Sequence, residues 1–598
     1  MESIMFLGLS LQAWITIATL AALFVVMVRT SIPAEVTFLG ALTILLITGV
    51  VTEEEGMAGF ASEPVVVHAA FFIVIAGLIH TGVVYWLTQH VFGEPKNYRQ
   101  SLYWLMIPVS ILSALLNGLN VVAMSIDAVK IWARRLNISP SRVLLPLSCA
   151  ATMGGICTLM GNSANLVVSG LYMEKTGKPL NVFEPLLPGL LLTMIAIPLV
   201  VALRRLIPDR ESPEISFETT SDYTVELLVP TDNPAVGLTV AEAGLKNVKG
   251  GSLVEIVRFD KEIIMPVTDE EFILGGDRLV YAGQINDLLE LKRTHGLVAA
   301  THHVYNISEI DTNRKLRTAY VTFGSQLIGT SMTTNDFELK NDMVLVAVAR
   351  QGKRVDGQPR EIKLQAGDSL LLECPPKSDD QLENINQRNL TFFDSHFVPQ
   401  MGGRTITAAA ILVLMFVMSS FHIRPLWAST MLAAGLMIIT KCCRMHSVVK
   451  YIEWDLLLVL GATVVLSTAI TKTGISDTIA VHMLNICGTN PYIVLAAMCL
   501  LALITSEFTG NVGSCAIFFP IAWHQAATLG CNPMTFTMAL MISANLTFIT
   551  PLGSRTHMLV FGPGGFRFKD FARLGICMQA VLFVAMLVII NIIYPIYS

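Results

Sequence analysis

Charge is scarce in this chain. Only 14% of its 598 residues are Asp, Glu, Lys or Arg, against about 25% in an ordinary soluble domain. That shortage excludes a soluble globular fold for most of the length. A basic excess is also missing: the net charge is −5 and the pI about 6.2, so nothing marks the chain as a nucleic-acid partner. Cysteines are unpaired in pattern. Ten are scattered, nine of them in apolar segments, and none forms a C-x-x-C pair, which argues against a disulfide framework or a zinc site. No nucleophile–base constellation stands out, so an enzyme is not expected. No basic region precedes the first apolar run, which is therefore read as a retained span rather than a cleaved signal peptide.

What remains is apolar: 53% of residues are hydrophobic and the mean hydropathy is +0.61. The distribution is uneven. Residues 208–400 have the mixed polarity of a soluble domain, while both flanks carry runs near the ~20 residues needed to cross a bilayer. In the first flank these are 10–28, 34–51, 64–90, 101–134, 143–172 and 183–205. In the second they are 405–421, 425–441, 454–472, 491–526, 534–562 and 573–596. Segments 101–134 and 491–526 are about twice a span and have polar, Gly-containing centres, as re-entrant hairpins would. Segments 143–172 and 534–562 are interrupted by Gly-rich polar stretches, as broken helices would be.

The flanks are related by a constant offset. Pro33 and Pro425 lie 392 residues apart, as do Gly118 and Gly510, Thr158 and Thr550, Gly161 and Gly553, and Gly170 and Gly562. Several matches at one offset, each at the same place in its segment pattern, indicate an internal repeat. If each hairpin enters and leaves on one side, each half crosses five times, and an odd count makes the two halves antiparallel. The expected fold is therefore an α-helical polytopic membrane protein of two inverted five-span repeats, 1–207 and 401–598, around an α+β insert.

Loop charge orients it. Arg29, Lys96, Arg99, Arg134, Arg135 and Arg142 fall on the insert's side, as do Lys441, Arg444, Lys450, Arg567, Lys569 and Arg573; Glu53, Glu54 and Glu55 fall opposite. The positive side is cytoplasmic. The insert is thus expected in the cytoplasm and both termini outside, in a cell inner or plasma membrane. Inside the insert, Gly276-Asp277 and Gly367-Asp368 each precede an alternating apolar run, a turn-then-strand signal that divides the insert into two similar modules, 208–300 and 301–400.

Polar residues at membrane depth mark function more often than packing. The hairpin tips carry Asn117, Gly118 and Asn120, and Thr509, Gly510 and Asn511. The breaks carry Asn162, Ser163 and Asn165, and Ser554, Arg555, Thr556 and His557. Broken helices expose backbone N–H groups that favour anions, and four symmetry-related breaks converge naturally on one site. These thirteen residues are the candidate substrate contacts. Tight helix packing through small residues is the alternative. Arg555 reads as a fixed cation for an oxyanion, with an internal salt bridge, for example to Glu507, as the alternative. His68 and His80 read as scaffold or interface residues, with a proton relay as the alternative. Asp127 and Lys130 are spaced to pair on one helix face.

The stretches Ser506-Glu507-Phe508-Thr509-Gly510-Asn511, Pro551-Leu552-Gly553 and Phe561-Gly562-Pro563-Gly564-Gly565-Phe566-Arg567-Phe568-Lys569-Asp570-Phe571 resemble the divalent anion/sodium symporters, which carry sulfate or dicarboxylates. Ser139-Pro140-Ser141-Arg142-Val143-Leu144-Leu145-Pro146-Leu147-Ser148 extends the likeness to the first half. The insert resembles two TrkA-C modules, the C-terminal modules of potassium-conductance regulators. The resemblance implies a secondary active transporter of a small divalent anion, with sulfate or a related oxyanion first and a dicarboxylate as the alternative. A transport-inactive anion sensor and an anion channel are the other readings. It further implies a homodimer in lipid, a sodium ion or proton as coupling ion, and a nucleotide-type regulatory ligand on the insert. Sodium would be held near Asn117, Gly161, Asn511 and Gly553. Where the family's tips read Ser-Asn-Thr, this chain has Asn117-Gly118-Leu119 and Gly510-Asn511-Val512, and so has lost oxygens that a sodium site would use.

The orientation is testable. In a chain stripped of its ten native cysteines, a single cysteine at Ala300 should react with a membrane-impermeant maleimide only after the membrane is opened; labelling from outside intact cells would reverse the assignment.

Overall fold

A run of apolar residues becomes a helix in a bilayer because only then does every backbone N–H find a carbonyl. The computed structural model shows where the runs keep to that rule and where they break it. It describes residues 10–30, 32, 34–83, 93, 95, 97–210, 224–248, 251–258, 262–264, 267–283, 296–299, 315–323, 325–331, 343–351, 353–355, 359–374, 389–392, 403–421, 423–443 and 452–597.

The first half contains α1 (Leu11–Arg29), α2 (Ala34–Ile47), α3 (Glu53–Phe60), α4 (Glu63–His80), α5 (Tyr98–Leu116), α6 (Gly118–Arg135), α7 (Pro140–Gly155), α8 (Ser163–Thr176) and α9 (Leu186–Ala202). The second contains α10 (Gly403–Ser420), α11 (Leu426–Ile439), α12 (Trp454–Lys472), α13 (Ile475–Cys487), α14 (Pro491–Thr528), α15 (Pro533–Ser543), α16 (Arg555–Phe561) and α17 (Phe568–Ile593). Five helical stretches among the described residues are long and apolar enough to cross a membrane: 53–80, α5, α12, α14 and α17. The chain is accordingly a polytopic, mostly helical membrane protein. Along α17 the two environments separate by face. Leu574, Met578, Leu582 and Met586 are buried, while Ile576, Val584, Val588 and Ile592 are exposed, the pattern of a helix between protein and lipid.

Segment 101–134 is two helices, turned at Asn117 with φ +70°. Segment 491–526 is α14, whose helix is interrupted at Gly510 with φ +76°. Segment 143–172 splits into α7 and α8, and 534–562 into α15 and α16. Two helices escaped the hydropathy reading. The acidic stretch Glu53-Glu54-Glu55 is not a loop but the first turn of α3, closed by a capping box between Thr52 and Glu55. Beyond Thr473-Gly474 the chain returns at once to helix in α13, whose Asp477 and His482 mask its apolar face.

The halves interlock. The α5 and α6 arms pack on α7, and α14 packs on α15. Across the halves, α16 packs on α6 and α7, while α8 packs on α14 and α15. Each broken helix thus sends its second piece into the other half's hairpin. Close approach needs small residues. A Cβ on Gly154 of α7 would overlap the Ser110 carbonyl of α5, and one on Gly575 of α17 would overlap the Phe548 carbonyl.

Between the halves lie two small antiparallel sheets. The first is built of β1 (Thr224–Leu228), β2 (Asn247–Val248), β3 (Gly251–Arg258), β4 (Glu262–Ile264), β5 (Arg278–Gly283) and β6 (Val298–Ala299), in the order β2-β3-β5-β1-β6 with β4 on β3. The second uses β7 (Lys315–Val321), β8 (Val344–Arg350), β9 (Lys353–Arg354), β10 (Ser369–Cys374) and β11 (Leu390–Phe392), in the order β9-β8-β10-β7-β11. The order β4-β3-β5-β1-β6 of the first sheet recurs as β9-β8-β10-β7-β11 in the second, β2 being an extra strand on β3, and one side-chain device recurs. Arg258 donates from Nε and Nη2 to both oxygens of Asp277, at 3.1 Å each. Arg350 does the same to Asp368, at 2.7 and 2.8 Å. Each Asp sits in the expected Gly-Asp turn and also accepts the N–H three residues before it.

The second sheet touches the membrane helices. Phe323 lies with its ring centroid 4.9 Å from Phe561 and 6.2 Å from Phe568, and the Lys130 ammonium stands 5.4 Å from the Tyr320 ring centre. The connection into the insert is fastened as well: Arg210 donates to both Asp570 oxygens at 2.8 and 3.1 Å.

If Gly154 marks a true backbone contact, Gly154→Ala should cost about 1–3 kcal/mol through overpacking and lower the thermal midpoint in detergent. Gly435→Ala, with open space around the same test atom, should leave it unchanged or slightly raised. Equal midpoints for the two variants would contradict the packing described.

Candidate anion site at the helix breaks

Breaking a helix strands N–H and C=O groups that must be satisfied locally. Both breaks use one solution. The Thr158 hydroxyl donates to the Ala114 carbonyl (2.5 Å) and accepts from the Gly161 N–H (3.0 Å). The Thr550 hydroxyl donates to the Glu507 carbonyl (3.1 Å) and accepts from the Gly553 N–H (3.1 Å). Each threonine thus ties its break to its own hairpin. A second tie runs from Ser113 to the Ala151 carbonyl (2.5 Å), and from Ser506 to the Ala544 carbonyl (2.6 Å). These serines are 393 residues apart, not 392, so the tips correspond as Asn117 with Gly510. The two residues share a positive φ, which Gly adopts freely and Asn tolerates. The Gly118–Gly510 match seen in the sequence is one residue out of register.

Glu507 closes the second break. Its Oε1 accepts from Phe548 N (3.1 Å) and Ile549 N (3.2 Å), and its Oε2 from Thr550 N (3.0 Å) and the Thr550 hydroxyl (2.8 Å). Three successive N–H groups aimed at one carboxylate form an anion-binding nest, here filled by the protein's own side chain. The charge-assisted bonds, about 1.5–3 kcal/mol apiece in favourable cases, hold the irregular backbone in place. Arg555 is therefore not the partner of Glu507. Its Nη1 lies 2.9 Å from Glu453 Oε2, and the side chains are 47% and 30% exposed.

A chain of amides joins the halves. The Asn511 Nδ2 donates to Asn545 Oδ1 (2.8 Å), and the Asn545 Nδ2 donates to Asn165 Oδ1 (2.8 Å). Asn165 in turn donates to the carbonyls of Gly155 (3.1 Å) and Thr158 (2.8 Å). His557 occupies the corresponding place 392 residues on. Its Nε2 lies 3.0 Å from the Thr547 carbonyl and its Nδ1 2.9 Å from the Ser148 hydroxyl. A carbonyl only accepts, so Nε2 carries a proton. The family-like Asn and this His thus do the same backbone work, and His557 is fully buried. Thr152 and Thr556 meet across the halves at 2.9 Å, and Ser554 lies 2.8 Å from Thr556.

Most candidate residues come together here. Gly118 N donates to the Gly161 carbonyl at 3.2 Å, bringing the first tip onto the first break. Asn117 and Asn162 each accept an N–H two residues ahead and act as caps. Two candidates lie apart. Thr509 bonds the Thr505 carbonyl in its own helix. Asn120 shares a small apolar cleft with Ile75, Leu78 and Ile79 of α4, and its Nδ2 is buried without a hydrogen bond. The carbonyls of Gly161 and Gly553 each accept one bond, from Gly118 N and from the Thr547 hydroxyl (3.1 Å). A carbonyl has two lone pairs, so each has room for a second donor or ligand. Sequence reasoning missed Asn545, the link between halves, because it began the second break at Thr550. It also left His68 outside the site, yet His68 Nε2 lies 3.1 Å from the Ser163 hydroxyl at the start of α8. Asp127 and Lys130 pair at 3.8 Å as their spacing implies.

Two overlapping stretches, 21–480 and 413–597, match the family described as citrate transporter. The chain belongs to the citrate transporter family. The family is named for transport of an anion, and several sequence relatives are named as transporters. An uncharacterized transporter of Synechocystis sp. is 28% identical over 98% of both chains. A Chlamydomonas reinhardtii protein described as a sulfur deprivation response regulator is 27% identical over 93% of this chain and 97% of its own. Sodium/sulfate cotransporter 1 of the same alga is 25% identical over 63% of this chain and 45% of its own. As a citrate transporter family member, the chain is an integral membrane protein of a transporter class, not of an enzyme class.

Glu507→Gln should unsettle the break. An amide nitrogen would face N–H donors in place of an oxygen, at a cost of about 2–4 kcal/mol. The thermal midpoint should fall by several degrees, and that of Thr550→Val, which removes the hydroxyl donor but keeps the three N–H groups, should fall less. A midpoint unchanged in Glu507→Gln would remove Glu507 from this role.

Proposed function

We propose that this protein is a secondary active transporter of a small divalent anion, with sulfate or a related oxyanion as the first expectation and a dicarboxylate as the second. One observation carries the proposal: both hairpin tips and both helix breaks, drawn from both halves, converge through Asn511, Asn545 and Asn165, with the guanidinium of Arg555 at the start of α16. Relatives named for sulfate transport and for sulfur deprivation favour sulfate within a family named for citrate.

In this reading the halves are inverted five-span repeats. The shared Thr–Gly and Ser–Ala bonds at offsets of 392 and 393 residues support that view. Substrate contacts come from Asn162, Ser163, Asn165, Asn511, Ser554, Arg555 and Thr556, while His557 holds the break in shape. The coupling ion is sodium, on the free lone pairs of the Gly161 and Gly553 carbonyls, or a proton. The two sheets are TrkA-C-like modules that regulate transport from the cytoplasm by binding a nucleotide-type ligand. The protein works as a homodimer in a cell inner or plasma membrane, with both termini outside. The relative described as a response regulator favours one rival, an anion sensor that does not transport.

Proteoliposomes separate the readings. Saturable uptake of labelled sulfate or succinate, with counterflow, is the expected result; binding without flux indicates the sensor, and ohmic current a channel. Arg555→Ala should weaken sulfate binding roughly ten- to a hundredfold, the value of a charge-assisted contact. Arg555→Lys should recover part of it, because an ammonium lacks the planar fork. Affinity should change little between sodium and choline if Arg555 provides the charge that sodium provides elsewhere in the class. Strict sodium dependence together with normal affinity in Arg555→Ala would overturn that assignment.

A further inference from the structure

We propose that Glu453 is a resident counterion on Arg555, and that the transported anion takes its place. This rests on the reading of the second break as the anion site.

Among the described residues the ion pair differs from the three bidentate arginine–aspartate pairs and shares its one-point, exposed form with the surface pair Arg142–Asp209 (3.4 Å). Arg210 holds Asp570 through both oxygens, and the Asp570 side chain is 5% exposed. Arg258 holds Asp277 and Arg350 holds Asp368 in two-point contacts, each carboxylate 1% exposed. Those are sealed, bidentate and permanent. Arg555 touches Glu453 through Nη1 alone at 2.9 Å, with both partners substantially exposed. A guanidinium has five N–H donors in a fork that fits two oxygens at once, so this contact leaves most of the fork unused. An exposed, one-point pair is weak and open to exchange.

Glu453 is also excused from the local duty its position offers. It is the N-cap of α12, a position where Asp, Asn, Ser or Thr ordinarily accepts an N–H of the first turn and the longer Glu does not. Here its side chain makes no cap bond and reaches across 102 residues to the break instead. The other acid at the break, Glu507, is committed to three N–H groups and a hydroxyl. Glu453 is thus the carboxylate placed to neutralise Arg555 when no anion is bound.

The pair also joins two helices with different main packing partners. α12 packs chiefly on α2, α3 and the second hairpin α14, and less on α4, α8 and α13, whereas α16 packs on α6 and α7. In the first half the corresponding place, 392 residues earlier, is Ser163, which is uncharged and is held by His68 of α4. Both half-helices are therefore tethered at their first residue to one of the long helices α4 and α12, but only the second tether is ionic. A dianion presenting two oxygens to Arg555 satisfies the fork that Glu453 leaves open, and the like charges drive the carboxylate off. Loading the site then releases α16 from α12.

The test uses purified full-length protein and sulfate, titrated by calorimetry, for wild type, Glu453→Gln, Glu453→Asp, Arg555→Ala and the double variant Glu453→Gln/Arg555→Ala. Removing the competing charge should tighten sulfate about tenfold or more in Glu453→Gln, and Glu453→Asp should stay near wild type. The gain should vanish in the double variant, which should match Arg555→Ala. Unchanged or weaker binding in Glu453→Gln, or the same gain with Arg555 absent, overturns the exchange while leaving the anion site standing. If wild type and Glu453→Gln alike bind neither sulfate nor succinate, the transport reading itself fails and takes this inference with it.

Discussion

A helix interrupted inside a bilayer leaves backbone groups that water cannot reach, and everything near the centre of this molecule follows from satisfying them. At the first break the solution is neutral: Thr158, Ser113 and Asn165 bond the loose carbonyls and N–H groups. At the second it includes a charge. Glu507 binds three successive N–H groups, and His557 takes the carbonyl that Asn165 takes in the other half. Burying a carboxylate costs several kcal/mol unless hydrogen bonds compensate it, and four donors do so here. The irregular backbone is thus held in place by the protein's own groups.

Because the second piece of each broken helix packs into the opposite hairpin, neither half can be completed alone. The Asn511–Asn545–Asn165 chain and the Thr152–Thr556 contact are the polar expression of that exchange. Interlocking in turn concentrates the asymmetry between the halves. Ser163 and Arg555 head the two half-helices, and Asn162-Ser163-Ala164-Asn165 matches Ser554-Arg555-Thr556-His557 at the 392-residue offset, so of these four pairs it is the exchange of Ser163 for Arg555 that brings a fixed positive charge.

Much of this was legible in the sequence because similar signals recur in both flanks. The polar tips, the two breaks and the Gly-Asp turns of the insert each announce themselves as exceptions to an apolar or alternating run, and the structure places a turn or a break at each. The errors are equally instructive. The register of the tips is one residue off because Gly118 and Gly510 match as letters, whereas the backbone matches Asn117 to Gly510 through their shared positive φ. α3 and α13 were missed because charged or polar residues on one face outweigh the apolar face in a hydropathy average. Asn545, Glu453 and the nest around Glu507 were out of reach altogether. Their roles depend on partners 34 to 380 residues away, and nothing in the local pattern of an amide or a carboxylate says whether it points at a backbone, a cation or another helix.

The same geometry explains how a soluble insert can address a site buried among helices. α16 has seven residues, about 10 Å at 1.5 Å per residue. Arg555 is its first residue and Phe561 its last. Phe323, beside the second sheet, stacks edge-on against Phe561, and a Cβ at Gly367, in the turn before β10, would strike the same ring. Gly562 is pressed by Tyr320 in the same way. A short, stiff helix with the site's cation at one end and the insert's aromatic contact at the other cannot shift at one end alone. The second sheet is packed on the element that carries Arg555, and the segment leading into the insert is clamped by Arg210 to Asp570 in the first turn of α17. One attachment thus falls on the second piece of the broken helix and the other on the helix that follows it. On the proposed reading, a ligand that reshapes the second sheet would move the guanidinium and so bear on the balance between Glu453 and an incoming anion.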